Sequence, residues 1–211
     1  MQTNALYNHK IIAFERVRTF VQSIFPMTNA ALFGSNAVGL SLPNSDVDIL
    51  LSCINCSTKE IAAEILAQIA VEINAMGWVV SCSTYLWAKV PLVKLEIDTS
   101  IPFLQTKRKQ DLFQVYNPAM LYHLDHQGSD FSHTSIKVDI TINIEGVTSA
   151  GFESTNLMRS HIARTPVLQK LVVLFKHILS IRGFNSNFSG GIGSYCLFVM
   201  IAAYVSTFGR E

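Results

Sequence analysis

From about residue 8 to 25, apolar Ile11, Ile12, Phe14, Val17, Phe20, Val21 and Ile24 recur at helical spacing. The pattern predicts a helix that Pro26 ends. Residues 30–33 and 47–52 read as short strands on either side of a Gly34-Ser35 turn. Ser57 or Thr58 is placed to cap a helix over about 59–76, with Ile61, Ile65, Leu66, Ile69 and Ile73 on one face and Gly77 as its stop. Strands are expected over 78–83 and 90–97. The clearest alternation in the chain is 136–144, which sets Lys137, Asp139, Thr141 and Asn143 opposite Ile136, Val138, Ile140, Ile142 and Ile144. After Gly146 the period becomes helical, over about 156–163, 166–182 and from Ser194 onward. Gly183 closes the second of these helices, and the glycine-rich 189–193 opens the third. A mixed α+β part is therefore expected up to about residue 145, and an all-helical part over 146–211. The polar, mixed stretch from about 98 to 135 reads as an insertion.

Composition narrows the classes. The 211 residues suffice for one large domain or two small ones, and the 49% hydrophobic content can build a substantial core. The mean hydropathy of +0.32 is high for a soluble chain. Its longest apolar run, 195–205, suits a buried helix and is too short for a membrane span. Lys10, Glu15, Arg16 and Arg18 interrupt the first apolar stretch, so no signal peptide is expected. A net charge of +1 gives no global pull on polyanions, and nucleic acid contact must come from local patches. Cys53 and Cys56 have C-x-x-C spacing, but no second pair follows, and Cys82 and Cys196 are isolated. That favours reduced thiols over a zinc site.

The candidate chemistry begins with Asp46 and Asp48, one residue apart downstream of Gly34-Ser35. Alternation along a strand puts both carboxylates on one face, with Val47 and Ile49 on the other. Such a pair suits Mg²⁺ (or Mn²⁺), a hard cation satisfied by one or two carboxylates plus phosphate oxygens. The Gly-Ser backbone can offer N–H groups to the same phosphates. Asp139 is a third acid on a strand far downstream. Three carboxylates on neighbouring strands can hold two cations, one at an attacking hydroxyl and one at the leaving pyrophosphate. Asp139 alone also reads as a solvated face residue.

Residues 33–35 through 45–48 resemble the signature of the DNA polymerase β-type nucleotidyltransferase superfamily. Val90-Pro91-Leu92-Val93-Lys94 and Lys137-Val138-Asp139-Ile140 resemble its later strands. The tail Phe188-Ser189-Gly190-Gly191-Ile192-Gly193-Ser194-Tyr195 is similar to the TRAMP-type nuclear poly(A) polymerases and, less closely, to cytoplasmic poly(U) polymerases. The resemblance implies an α+β fold: a polymerase β-like mixed sheet with flanking helices, followed by the start of a helical central domain, which family members carry further than the position of Glu211. It implies an N-terminal helix, 1–29, packed on the helical domain, and a catalytic domain over 30–145. It also implies template-independent addition of AMP from ATP to an RNA 3′ end, with uridylyl transfer as the alternative. By position, Asp46, Asp48 and Asp139 would be the catalytic metal ligands, and Gly34 and Ser35 would meet the triphosphate. Gly146 or Gly151 would lie near the ribose. Thr155 resembles the poly(U) version. Lys176 would neutralise phosphate, Ser194 would bond the triphosphate, and Tyr195 would stack on the base. Zinc-knuckle RNA-binding and helicase partners, and a nuclear location with the cytoplasm as alternative, follow from the same resemblance.

Other readings stay open for several residues. Lys176 also reads as a snorkelling lysine on a buried helix, and Tyr195 as core. Lys107-Arg108-Lys109 reads as a solvated charge run, and His123, His126 and His133 are too loosely spaced for a metal site. An inactive scaffold and a small-molecule nucleotidyltransferase are the competing functional classes. The latter shares the Gly-Ser and Asp-x-Asp motif but lacks the Ser194-Tyr195 tail.

Overall fold

A computed structural model describes residues 2–52, 56–103, 135–144, 149–185 and 190–208. In chain order its elements are α1 (Gln2–Ile24), β1 (Asn29–Leu32), α2 (Gly34–Ala37), β2 (Val47–Ser52), α3 (Lys59–Ile73), β3 (Val79–Tyr85), β4 (Leu92–Asp98), β5 (Ser135–Ile142), α4 (Ser149–Arg164), α5 (Val167–Ile181) and α6 (Ser194–Phe208). They form two units: Met1–Leu32 with Asp46–Thr148, the sheet unit, and Phe33–Ser45 with Ser149–Glu211, the helical unit. Cys53, Lys107-Arg108-Lys109, His123, His126, His133, Gly146, Phe188 and Ser189 lie outside the described residues.

The sheet unit is built on a five-stranded sheet of order β1-β2-β5-β4-β3. β2 and β5 run parallel, and the other neighbours are antiparallel. Period-2 alternation puts β5 at the centre, because Ile136, Val138, Ile140 and Ile142 all need one buried face. They meet Val47, Ile49 and Leu51 of β2 and Val93, Leu95 and Ile97 of β4 in one core with α1 and α3. Trp78 is fully buried there, stacked on Phe103 at 5.8 Å, with its indole Nε1 donating to the Phe103 carbonyl at 3.0 Å. Thr58 caps α3 by accepting from the Ile61 N–H at 3.3 Å.

α1 packs Ala13, Val17, Phe20 and Val21 on the sheet. Polar bonds fix it to the end of β4. The Arg16 guanidinium donates to the carbonyls of Asp98 and Thr99 at 3.0 and 3.1 Å, and His9 Nδ1 bonds the Thr99 hydroxyl at 2.7 Å.

The helical unit has its own smaller core of Val38, Leu40, Met158, Leu168, Val172, Leu197 and Phe198. Residues 33–45 therefore go with the helices, not with the sheet as a boundary near residue 30 had placed them. Val38 and Leu40 bury among α4, α5 and α6, and Gly39 allows the close approach. Its φ is +70°, and a Cβ there would collide with the Gln169 amide, which donates to the Gly39 carbonyl at 3.3 Å. The Gly-Ser pair is not an open turn but the start of the one-turn helix α2, entered through a left-handed Gly34 at φ +63°.

Candidate active site

The parallel pairing of β2 with β5 makes Asp48 and Asp139 register partners, side by side on adjacent strands. Asp46 stands two residues before Asp48, of the same parity. On the other side of β5 the antiparallel β4 sets Lys94 opposite Asp139 and Glu96 opposite Lys137. Lys94 Nζ is ion-paired to Asp139 Oδ2 at 2.7 Å.

Asp139 is held above its ordinary pKa. Burial does most of this and the Asp46 charge adds to it, together outweighing the Lys94 bond. Lys94 is also raised: burial pulls its ammonium down, but the bond and charge of Asp139 prevail. Lys10 of α1 is buried beside the acids; desolvation lowers its pKa, while Asp46 and Asp48 pull the other way.

The expected three-carboxylate cradle is not assembled. Among the described residues no three His, Cys, Asp or Glu side chains are grouped to hold a metal ion, and Asp139 is bonded to Lys94 instead. The donor chemistry nevertheless fits a hard divalent cation. Two acids are in register, and Asp46 is near enough to Asp139 to raise its pKa. A doubly charged ion relieves that repulsion, and phosphate oxygens complete its shell.

The other candidate residues belong to the helical unit. The Gly34 N–H donates to the Thr155 hydroxyl at 3.0 Å, and that hydroxyl donates to the Gly151 carbonyl at 2.8 Å. Gly151 carries no Cβ where one would sit 3.5 Å from the Phe33 ring. Ser35 is buried. Lys176 does not snorkel: it is buried, and its ammonium donates to the Leu40 carbonyl at 3.0 Å. Ser194 opens α6, and Tyr195 is half exposed rather than core. Cys56 and Cys196 are free thiols, and the Cys82 thiol donates to the Ala70 carbonyl at 3.8 Å.

Two residues of the sheet site escaped the sequence reading. Lys10 falls on the Ala13–Val17–Phe20 stripe, and a charge on a buried stripe was the available signal. Lys94 shares parity with Leu92 and Glu96 on an alternating strand, but its partner emerges only from the β4–β5 register.

Residues 1–163, more than half of the chain, match the family described as poly(A) RNA polymerase, mitochondrial-like, central palm domain. The chain belongs to this family of non-canonical poly(A) polymerases, and its sheet with flanking helices is the polymerase β-like nucleotidyltransferase fold. It is 26% identical over 203 residues to the inactive non-canonical poly(A) RNA polymerase protein Trf4-2 of Drosophila melanogaster, matching 94% of this chain and 39% of that protein. Poly(A) RNA polymerase protein 1 of Eremothecium gossypii is 24% identical over 198 residues, covering 94% of this chain and 25% of the relative. The polymerase core of TRAMP, an RNA surveillance complex, superposes with a TM-score of 0.66 at 20% identity, over 100% of this chain and 52% of that one. The chain thus spans well under half the length of these two curated relatives. Among the described residues no helix is long and apolar enough to cross a membrane.

Proposed function

We propose that the chain carries the palm of an RNA 3′-terminal nucleotidyltransferase that adds AMP from ATP in RNA processing and quality control. The observation that carries this is the register of Asp48 with Asp139 on parallel strands, with Asp46 two residues upstream. Asp46, Asp48 and Asp139 would hold Mg²⁺ or Mn²⁺. When bound, the divalent ion supplies the positive charge that stabilises the attacking oxygen and the leaving pyrophosphate.

The chain's own residues do the positioning. Asp139 orients the terminal 3′ hydroxyl and stands ready to accept its proton as the oxygen bonds the α-phosphorus and pyrophosphate departs. Lys94 balances the Asp139 charge until substrate arrives. Little more is required, since such transfers depend on alignment and charge neutralisation.

On the helical unit, the same reading gives Gly34, Ser35 and Ser194 to the triphosphate, Gly151 and Thr155 to the ribose side, and Tyr195 to the base. Lys176 takes a phosphate only if its bond to the Leu40 carbonyl yields. The reading extends to a nuclear location and to zinc-knuckle and helicase partners of the TRAMP kind.

A second reading, a non-catalytic relative, draws on two observations: the name inactive on Trf4-2, and the Asp139 carboxylate occupied by Lys94. Incubating the folded chain with a short RNA, Mg²⁺ and each NTP separately decides between them. Extension with ATP supports the proposal, and extension with UTP alone transfers it to uridylyl transfer. No extension with any nucleotide favours the inactive reading.

A further inference from the structure

The polar face of the sheet extends past the acids, over β4 to the edge strand β3. Antiparallel pairing sets Asp139, Lys94 and Ser83 in one row across the strands, and Lys137, Glu96 and Ser81 in the next. With Asp46 and Tyr85 these residues line a cleft of about 240 Å³. Enclosed small-molecule pockets run from roughly 300 to 1,000 Å³, so this one suits a piece of a polymer better than a whole nucleoside triphosphate.

Its two lysines differ. Lys94 is bonded to Asp139, whereas Lys137 is exposed and in no ion pair among the described residues. The carboxylate opposite Lys137 is already supplied with donors: Glu96 accepts from Ser135 at 2.6 Å and from Ser81 at 3.3 Å. A lysine facing solvent across from a satisfied carboxylate is open to a phosphate. Lys137 precedes Asp139 by two residues, about 6.6 Å along a strand, which one nucleotide can bridge. Tyr85 is 50% exposed in the same cleft, and its ring offers a base a stacking surface indifferent to sequence. β3 is the edge of the sheet, so a strand laid here can run off over it.

We propose that this cleft seats the end of a single-stranded RNA, with Lys137 on the last internucleotide phosphate and Tyr85 stacked on a base, so that the 3′ hydroxyl arrives at Asp139. The proposal rests on the reading above and adds to it the track of the acceptor. The Ser81 hydroxyl, whose proton goes to Glu96, then lies where a ribose 2′ hydroxyl finds an acceptor oxygen, which favours RNA over DNA.

The test is fluorescence anisotropy of a short labelled oligo(A) RNA on the whole chain, without NTP, across a salt series. Wild type is compared with Lys137→Gln, Lys137→Glu and Tyr85→Ala. Both positions are exposed, and a melting profile checks each fold. Lys137→Gln should reduce the slope of log affinity against log salt by about 0.7, the share of one phosphate on a single strand. Lys137→Glu should weaken binding about tenfold or more, and Tyr85→Ala about five- to a hundredfold. Binding of a non-hydrolysable ATP analogue should stay the same in all three. Unchanged RNA affinity and slope would overturn the proposal, as would wild type that binds no RNA. Losing ATP-analogue affinity with RNA affinity intact would overturn it too, assigning Lys137 to the triphosphate. The two readings fail separately. Wild type that binds through Lys137 and Tyr85 but extends nothing keeps the seat and loses the catalysis, whereas extension with variants that bind normally keeps the catalysis and loses the seat.

Discussion

In the sheet unit Trp78 and Phe103 are taken inside while Trp87 and Met27 stay exposed, and the polar strand face holds the acids and lysines. The helical unit buries a short list, Leu40 and Phe198 at its centre, and leaves Phe175, Ile178, Ile181, Tyr204 and Phe208 exposed along α5 and α6. The first unit thus has the larger core, shared by α1, α3 and the sheet, and gathers its charges on one strand face. The second carries apolar surface beyond what its core uses, which brings an association hazard. Chemistry and stability should therefore respond to different substitutions in the two units.

Asp48→Ala makes the sharpest cut. It should lower RNA extension by at least about a hundred- to a thousandfold, while the melting temperature holds or rises as a carboxylate beside Asp139 is removed. A modest drop in extension alongside a collapsed fold would erase the separation of site from core. Next comes Trp78→Ala, which empties a fully buried site bonded to the Phe103 carbonyl. It should cost about 3–5 kcal/mol in chemical denaturation. Tyr204→Ser on exposed α6 should stay within about 0.5 kcal/mol and reduce aggregation seen by light scattering. Equal costs would mean the two surfaces are packed alike.

Thr155→Val probes the helical unit from inside. It leaves the Gly34 N–H without its acceptor and should cost about 1–3 kcal/mol. The smallest effect is the pH response of His9. Burial, and then the Arg16 charge, hold His9 below its ordinary value of about 6.5. The unfolded chain takes up this proton first, so its contribution is full above that value and is lost as pH falls toward the depressed folded value. Urea midpoints of wild type at about pH 7.5 and about pH 5 should differ by more than those of His9→Gln.

Much of the fold was legible because its strands alternate cleanly. β2 spans Val47–Ser52 as its pattern indicated, and β5 begins at Ser135, one residue before its first buried isoleucine. The α+β class and the family were readable from separated motifs in order. Packing partners were not. The stripe on α1 says that a face is buried but not against what, and its shared core with the strands, together with the Arg16 and His9 bonds to the end of β4, shows that the sheet takes it. Residues 38–45 have no periodicity, so nothing in the sequence sends Val38 and Leu40 into the helical core. α4 begins at Ser149, earlier than the apolar spacing indicated, because Gly151 within its first turns reads as a break. At the site, the parity of Asp46 and Asp48 could be read directly. The pairing of Asp139 with Lys94 could not, because it depends on a register between strands whose intervening segment gives no count.

The acidic face should take a divalent ion where Lys94 now holds Asp139. Mn²⁺ binding followed by electron paramagnetic resonance, with a non-hydrolysable ATP analogue present, tests this on the whole chain. Wild type should bind Mn²⁺, Asp48→Ala should bind it at least about tenfold more weakly, and Lys94→Ala, which frees Asp139, should bind it more tightly. Uptake that is the same in wild type, Asp48→Ala and Asp139→Asn would contradict it.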